Sequence, residues 1–462
     1  MSNLVWCGIT ILILAATTVG VRFYARPVFW LSFWHNLVWA AAMLVIGSPL
    51  VHYKTASWGP WLTLITGLVA FNVGAVVIWQ LLERRGPQRS RMQERWPLFR
   101  QNPDYLTTRP VFWTVAGLYA VGFAFYLINI QTRFGIENLV LQPTIIRKGA
   151  DGVSYLESLP LPARILLYLG PLVFAMIWYT PALNKPFKPI PRVLLTIVVL
   201  LTMIAMLQRS NLFIAILLTC ALYITGPLAK QTTSRRSDGF LGSVAKWWDV
   251  APKGVRILGG LMLLGVVGLI AFQSVGISLG KTATVEVKSG AVSSAIAKTG
   301  LASPVQYYTV GAVAFLRLVE ETEGQPDTYG SSTLALPLKF VPGINHEEAI
   351  RGYIDIGVRT NVYTWLEPYY RDFGYVGVLL GSLGYGLLAG WLFVTRHRST
   401  TRLWISAAVF ATVFLAPFAT RLDSALVFSI ILSIGVIGFV TRWQLQRRTP
   451  APVEDRELVE SR

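Results

Sequence analysis

TNVYTWLEPYYRDFGYVG, Thr360 to Gly377, closes the longest polar interval of a 462-residue chain and runs directly into the apolar VLLGSLGYGLLAGWLFV. Val362, Leu366, Tyr369 or Tyr370 and Phe373 recur at intervals of three or four, the spacing of one helical face. Thr360, Thr364, Glu367 and Arg371 share the other face. Pro368 removes an amide donor and crowds the carbonyl of Thr364, which predicts two short helices here. An aromatic-rich amphipathic stretch joined without a linker to an apolar run reads as a membrane-surface segment entering a span.

Runs of the same kind recur along the chain. Hydrophobic residues make up 53% and charged residues only 14%, with mean hydropathy +0.52, and a soluble surface of this size needs more charge. Spans are predicted at 4–21, 33–51, 61–82, 110–130, 165–183, 193–208, 212–228, 257–279, 375–394, 403–420 and 424–441. The fold class is therefore an all-α polytopic membrane protein of about 11 transmembrane helices. Residues 1–441 form its membrane domain, 280–374 a large external loop with short amphipathic helices, and 442–462 a disordered cytoplasmic tail. The first apolar stretch lacks a basic leader and a small-residue exit, so it is read as a retained span.

The formal charge of +18 would point to nucleic acid in a soluble chain. Here 26 of the 41 basic residues fall on alternate connections: Arg22 and Arg26, 84–109, 185–192, 230–256, 396–402 and the tail. The positive-inside rule puts these in the cytoplasm and 280–374 outside, so the excess reflects topology and no nucleic-acid partner is expected. Cys7 and Cys220 both lie in apolar runs, and His35, His52, His346 and His397 are far apart in sequence. With no HExxH, GxGxxG or Walker loop either, neither a metal nor another cofactor is expected.

Within the external loop, TATVEVK at 282–288 alternates like a short strand. Ser303-Pro304 is a helix start, and the VQYYTVGAVAFLRLVEE that follows is expected to lie on the membrane or cap the bundle. Residues 324–345, rich in Gly and Pro, have the length of a lid or binding loop, with Asp327, Glu347 and Glu348 as solvated charges and His346 as a loop residue.

Chemistry is expected outside. Arg209, in LQRSN, opposes the charge bias and is either an anion ligand or a side chain snorkelling to headgroups. Arg421 repeats the pattern in ATRLDS, where Asp423 offers a structural ion pair. With Arg351, Arg359 and Arg371 they make a candidate diphosphate clamp, because the guanidinium fork gives paired donors to phosphate oxygens. Glu367, Asp372 and Asp355 are the neighbouring carboxylates available as a general base, unless Glu367 and Arg371 simply pair at i,i+4. Tyr363, Trp365, Tyr369 and Tyr370 fit either sugar stacking or an interfacial aromatic belt. Gly374, Gly377, Gly381, Gly384, Gly386 and Gly390 serve either a lipid groove or helix packing.

NVYTWLEPYYRDFGYVGVLLGSLGYGLLAG resembles the late-chain motif of Wzy-type polymerases of O-antigen, capsule and exopolysaccharide repeat units: an N-V-Y-T stretch, a Pro-aromatic pair, then D-F-G-x-x-G leading into a glycine-rich span. LQRSN-L at 207–212 resembles that family's Arg-Ser turn between spans, with Leu207 where a small residue is usual, and VQYYTVGAVAFLRL resembles its external helix. The resemblance implies a glycosyltransferase that uses no nucleotide sugar or metal. It would extend an undecaprenyl-diphosphate-linked oligosaccharide at the outer face of a bacterial plasma membrane, with a chain-length regulator as partner. It also implies that Arg209 and Arg421, completed by Arg371, bind the diphosphate; the residues themselves favour Glu367 over Asp372 as base. A lipid-linked glycan ligase and a polysaccharide flippase or transporter are the competing functions.

Overall fold

The structure, a computed structural model, describes residues 3–48, 53–84, 108–148, 155–179, 189–207, 209–226, 302–338, 352–357, 359–417 and 424–448. Its longer helices are α1 (Asn3–Tyr24), α2 (Phe29–Gly47), α3 (Trp58–Arg84), α4 (Arg109–Arg133), α5 (Leu161–Leu167), α6 (Gly170–Trp178), α7 (Pro189–Ala205), α8 (Arg209–Thr225), α9 (Ala302–Thr322), α10 (Glu367–Thr395), α11 (Thr400–Leu415) and α12 (Ala425–Arg448). The strands β1 (Ile354–Asp355) and β2 (Arg359–Thr360) form one antiparallel pair. The protein is all-α, and six stretches among the described residues are long and apolar enough to cross a membrane. They are Asn3–Tyr24, Arg26–Gly47, Trp58–Glu83, Arg109–Arg133, Leu161–Trp178 and Glu367–Arg398. Four further apolar helices, Ile190–Ala205, Ser210–Thr225, Thr400–Leu415 and Ala425–Thr441, are shorter. Ten of the eleven predicted spans thus overlap helices of these two classes. The span at 257–279, the strand at 282–288, the basic link at 230–254 and the tail beyond Arg448 lie outside the described residues.

Side-chain contacts fix the direction of each helix. α1 and α3 run parallel, since Trp6 stacks on Trp61 and Asn36 of α2 bridges Thr17 and Thr18 to Asn72. α3 and α10 also run parallel, with Gly67 against Val378, Gly74 against Leu383 and Leu387, and Ala75 against Gly390. Arg396, just past α10, donates to the Thr225 carbonyl at the end of α8 at 2.9 Å, and Tyr223 donates to the carbonyl of Trp178 that ends α6. α4 runs against α5 and α6, with Gly122 on Leu166 and Tyr119 on Gly170. α7 follows α4 in parallel through Tyr119–Thr202 and Tyr126–Ala205. Arg22, Arg84, Arg109, Arg192, Arg396 and Arg398 consequently gather at one end of the bundle, and Arg133, Arg209 and Phe373 lie toward the other. The turn into Arg209 takes a left-handed backbone at Leu207, φ 57°, where glycine would be unstrained.

α3 and α10 approach backbone to backbone. A Cβ on Gly386 would fall on the Phe71 carbonyl oxygen, and one on Gly74 would fall on that of Leu383. Of the glycines read as groove or packing, Gly386 and Gly390 face α3, Gly377 and Gly381 face Tyr369, and a Cβ on Gly384 would meet none of the described residues within 4 Å.

Two elements depart from the sequence reading. Val310 to Leu316 of α9 are buried without a break, so this helix is packed on every side against α2, α3 and the 360–373 stretch. Tyr308 donates to the Val38 carbonyl and Tyr53 meets Thr309, contacts that draw α9 into the bundle instead of onto its surface. The second departure is in α10. Pro368 sits in its first turn, where its missing N–H costs nothing, and the chain bends instead at Phe373 (φ −141°, ψ 17°) and Gly374 (φ 59°, ψ −142°). Residues 365–373 fold back along 375–385: Tyr369 covers Gly377 and Gly381, and Trp365 meets Tyr385 with ring centroids 4.8 Å apart. At about 1.5 Å per residue, Trp365 lies about 15 Å along the helix from the bend. The arm 365–373 therefore runs inside the bundle, where the sequence suggested a surface helix.

Candidate functional site

The bend is where the candidate residues meet. Arg371 is anchored on both sides: Nε donates to Glu367 Oε1 at i,i+4, and Nη1 reaches Asp327 Oδ2 at 2.6 Å. The guanidinium also lies 5.6 Å from the Tyr363 ring centre. Glu367 is only 3% exposed and Arg371 14%, so this pair is screened little by solvent. Asp327, read from sequence as a solvated charge, is thus the second partner of Arg371. The neighbouring backbone repeats the link, since the amides of Asp327 and Thr328 both donate to the Arg371 carbonyl.

Asp372 points the opposite way and holds the loop. Its Oδ1 accepts from Thr328 Oγ1 at 2.5 Å and the Ser332 amide at 3.1 Å, while Oδ2 accepts from the Thr333 amide at 2.6 Å. Asp372 lies immediately before the bend at Phe373 and Gly374. Donors of the loop thus occupy both oxygens of this carboxylate. The loop 323–334 is shaped to be held in this way. Glu323, Gly324, Tyr329 and Gly330 have left-handed backbones, and a Cβ on Gly374 would strike the Gly324 carbonyl oxygen. Tyr370 closes the far side, accepting from the Gly324 amide and meeting Thr322 at 2.8 Å. Together these contacts seat a loop over an arginine and a carboxylate.

The other candidates lie at varied distances from this centre. Arg359 is exposed and sits over the Tyr353 ring at 5.1 Å, on the strand pair. Asp355 pairs with Lys54 at 2.6 Å, and that hydrogen bond is the chief cause of its lowered pKa. Arg317 takes Glu320 and Glu321 on α9. Trp365 and Tyr370 are core residues: Trp365 is ringed by His35, Phe71, Tyr369 and Tyr385, and Tyr370 packs on Phe315. Tyr363 is buried and donates to the Gly352 carbonyl; Tyr369 is half-buried. Arg209 heads α8, but its side chain, like the whole of Arg351, Arg421, Asp423, His346, Glu347 and Glu348, lies outside what is described.

The arrangement offers a guanidinium with two carboxylate neighbours, one on its own helix and one on a loop. A loop carboxylate can be exchanged for another anion if the loop moves, whereas Glu367 travels with Arg371. Among the described residues no group of three or more metal-ligating side chains comes together. Asp327, Thr328 and Thr333 were missed as partners because they lie far from Arg371 and Asp372 in sequence; the Gly/Pro pattern of 324–345 was the available signal. No family model, curated protein or solved structure matches this chain.

Proposed function

We propose that this protein polymerises undecaprenyl-diphosphate-linked oligosaccharide repeat units, transferring the growing glycan from its carrier to a hydroxyl of a new lipid-linked unit. The observation that carries this reading is Arg371, held between Glu367 and the loop residue Asp327 at the bundle end away from the clustered arginines. The diphosphate of the donor displaces Asp327 and takes its donors on Arg371, with Arg209 and Arg421 completing the clamp. The acceptor hydroxyl attacks the anomeric carbon, the bond to the diphosphate breaks, and Glu367 receives the hydroxyl proton. Charge developing on the leaving diphosphate is stabilised by guanidinium groups already in position. Glu367 suits the base better than Asp372, whose two oxygens are occupied in seating the loop. In this reading the site faces the periplasm or cell exterior of a bacterial plasma membrane, and a chain-length regulator acts alongside.

The test is the purified full-length protein in lipid with a synthetic lipid-linked repeat unit, followed by product sizing. A ladder of lengths is expected. Transfer of a preformed polymer to another acceptor would make the protein a ligase, and translocation without lengthening would make it a flippase. Arg371→Lys keeps the charge but loses the fork between two carboxylates, and is expected to lower the rate by about 2–5 kcal/mol of transition-state stabilisation. Full turnover by that variant at subsaturating substrate would remove Arg371 from the clamp.

A further inference from the structure

Three helices meet at the depth of Trp365, and their polar groups do not match one another. Ser32, His35 and Asn36 share one face of α2 at i, i+3 and i+4; Asn72 follows Phe71 on α3; Ser382 lies one turn before Gly386 on α10. The His35 ring stacks on Phe71 with centroids 4.1 Å apart and meets Trp365 edge-on at 6.3 Å. Its Nδ1 lies 2.9 Å from Asn36 Oδ1, which also accepts from Asn72 Nδ2 at 2.9 Å. Asn36 Nδ2 is committed to Thr18 and Thr17, which fixes the amide so that its oxygen faces His35. The proton of the neutral ring therefore sits on Nδ1, and Nε2 presents a lone pair.

Ser32 Oγ, His35 Nε2, Asn72 Oδ1, Trp365 Nε1 and Ser382 Oγ are all buried, and none has a hydrogen-bond partner among the described residues. Two of the five only accept, one only donates, and two do both. No carboxylate in the set would hold a cation, and no charged donor would hold an anion. What fits is a small neutral molecule that donates and accepts at once, with about 2–4 polar partners. Of the other buried indoles, Trp61 stacks on Trp6 and Trp404 stands edge-on to Tyr179.

We infer that the junction of α2, α3 and α10 is an internal water-binding site, in which ordered water donates to His35 Nε2 and Asn72 Oδ1 and accepts from Trp365 Nε1. The site ties Trp365, two residues before Glu367, to α2 and α3, and so positions the arm that carries Arg371. It stands independently of the proposed activity.

Brief X-ray radiolysis of the full-length protein in lipid nanodiscs, read by peptide mass spectrometry, tests this directly. Bound water generates hydroxyl radicals in place, so His35 and Trp365 should be modified several-fold above Trp404, which is buried as fully as His35. His35→Phe keeps the ring stack and removes the acceptor, and should lower the modification of Trp365 several-fold. Equal, background-level modification of His35, Trp365 and Trp404 in the wild-type protein would overturn the site, whether or not the variant folds. A folded His35→Phe protein with unchanged modification of Trp365 would overturn it equally.

Discussion

Asp372 and Glu367 are carboxylates five residues apart on one short arm, yet their surroundings assign them different tasks. Glu367 faces a guanidinium, whereas Asp372 faces two amides and a hydroxyl of the loop 323–334. Asp372→Asn replaces one acceptor oxygen with an NH2 that confronts an amide donor, so it should destabilise the seated loop by about 1–3 kcal/mol. Protease cleavage within 324–334 should then rise several-fold, with the helices unaffected. Amide exchange at Ser332 and Thr333 should accelerate in the same variant, and unchanged exchange there would mean that Asp372 does not hold the loop.

At the scale of elements, glycine spacing carries more than composition does. α3 and α10 touch through Gly74 and Gly386, where a side chain would meet a carbonyl oxygen, while a Cβ on Gly384 of α10 would meet none of the described residues. Gly386→Leu should therefore lower stability by about 1–3 kcal/mol through overpacking, and Gly384→Leu should leave it unchanged or raise it slightly. Denaturation of the two variants in detergent separates these outcomes. The contrast also marks what was legible in sequence. Apolar runs announce helices, because length and hydropathy are local properties, and nearly all the predicted runs coincide with helices. The buried course of α9 and the folding back of 365–373 were not legible, since periodicity defines a face without naming what covers it. Pro368 drew attention as a breaker, but at a helix start it is harmless; the actual bend uses the left-handed Gly374 of the DFG triplet. Likewise Glu367–Arg371 could be read from i,i+4 spacing, whereas Asp327–Arg371 required the fold.

For the whole molecule, the charge pattern becomes a spatial one. Helix directions deduced from packing bring Arg22, Arg84, Arg109, Arg192, Arg396 and Arg398 to one end, although nothing about charge entered that deduction. Cysteines introduced at Gln325 and His397, both exposed and at opposite ends, should react with an impermeant reagent from opposite sides of the membrane. Gln325→Cys is expected to label in intact or outer-permeabilised cells and His397→Cys only after the plasma membrane is opened. Cys7 and Cys220 are buried and should add little background. Labelling of both from one side would remove the topology.

The amide of Trp365 donates to the carbonyl of Ala416, just past α11, at 3.2 Å. On a ribosome adding about 5–20 residues per second, that acceptor is made roughly 3–10 s after its donor. A nascent chain that has reached residue 400 already contains Tyr363, Glu367, Arg371 and Asp372. Until α11 is complete, however, the start of their arm lacks this one bond. The timing of synthesis thus enters the assembly of the site, and a truncation after α10 would leave the candidate residues of this arm present but without that bond.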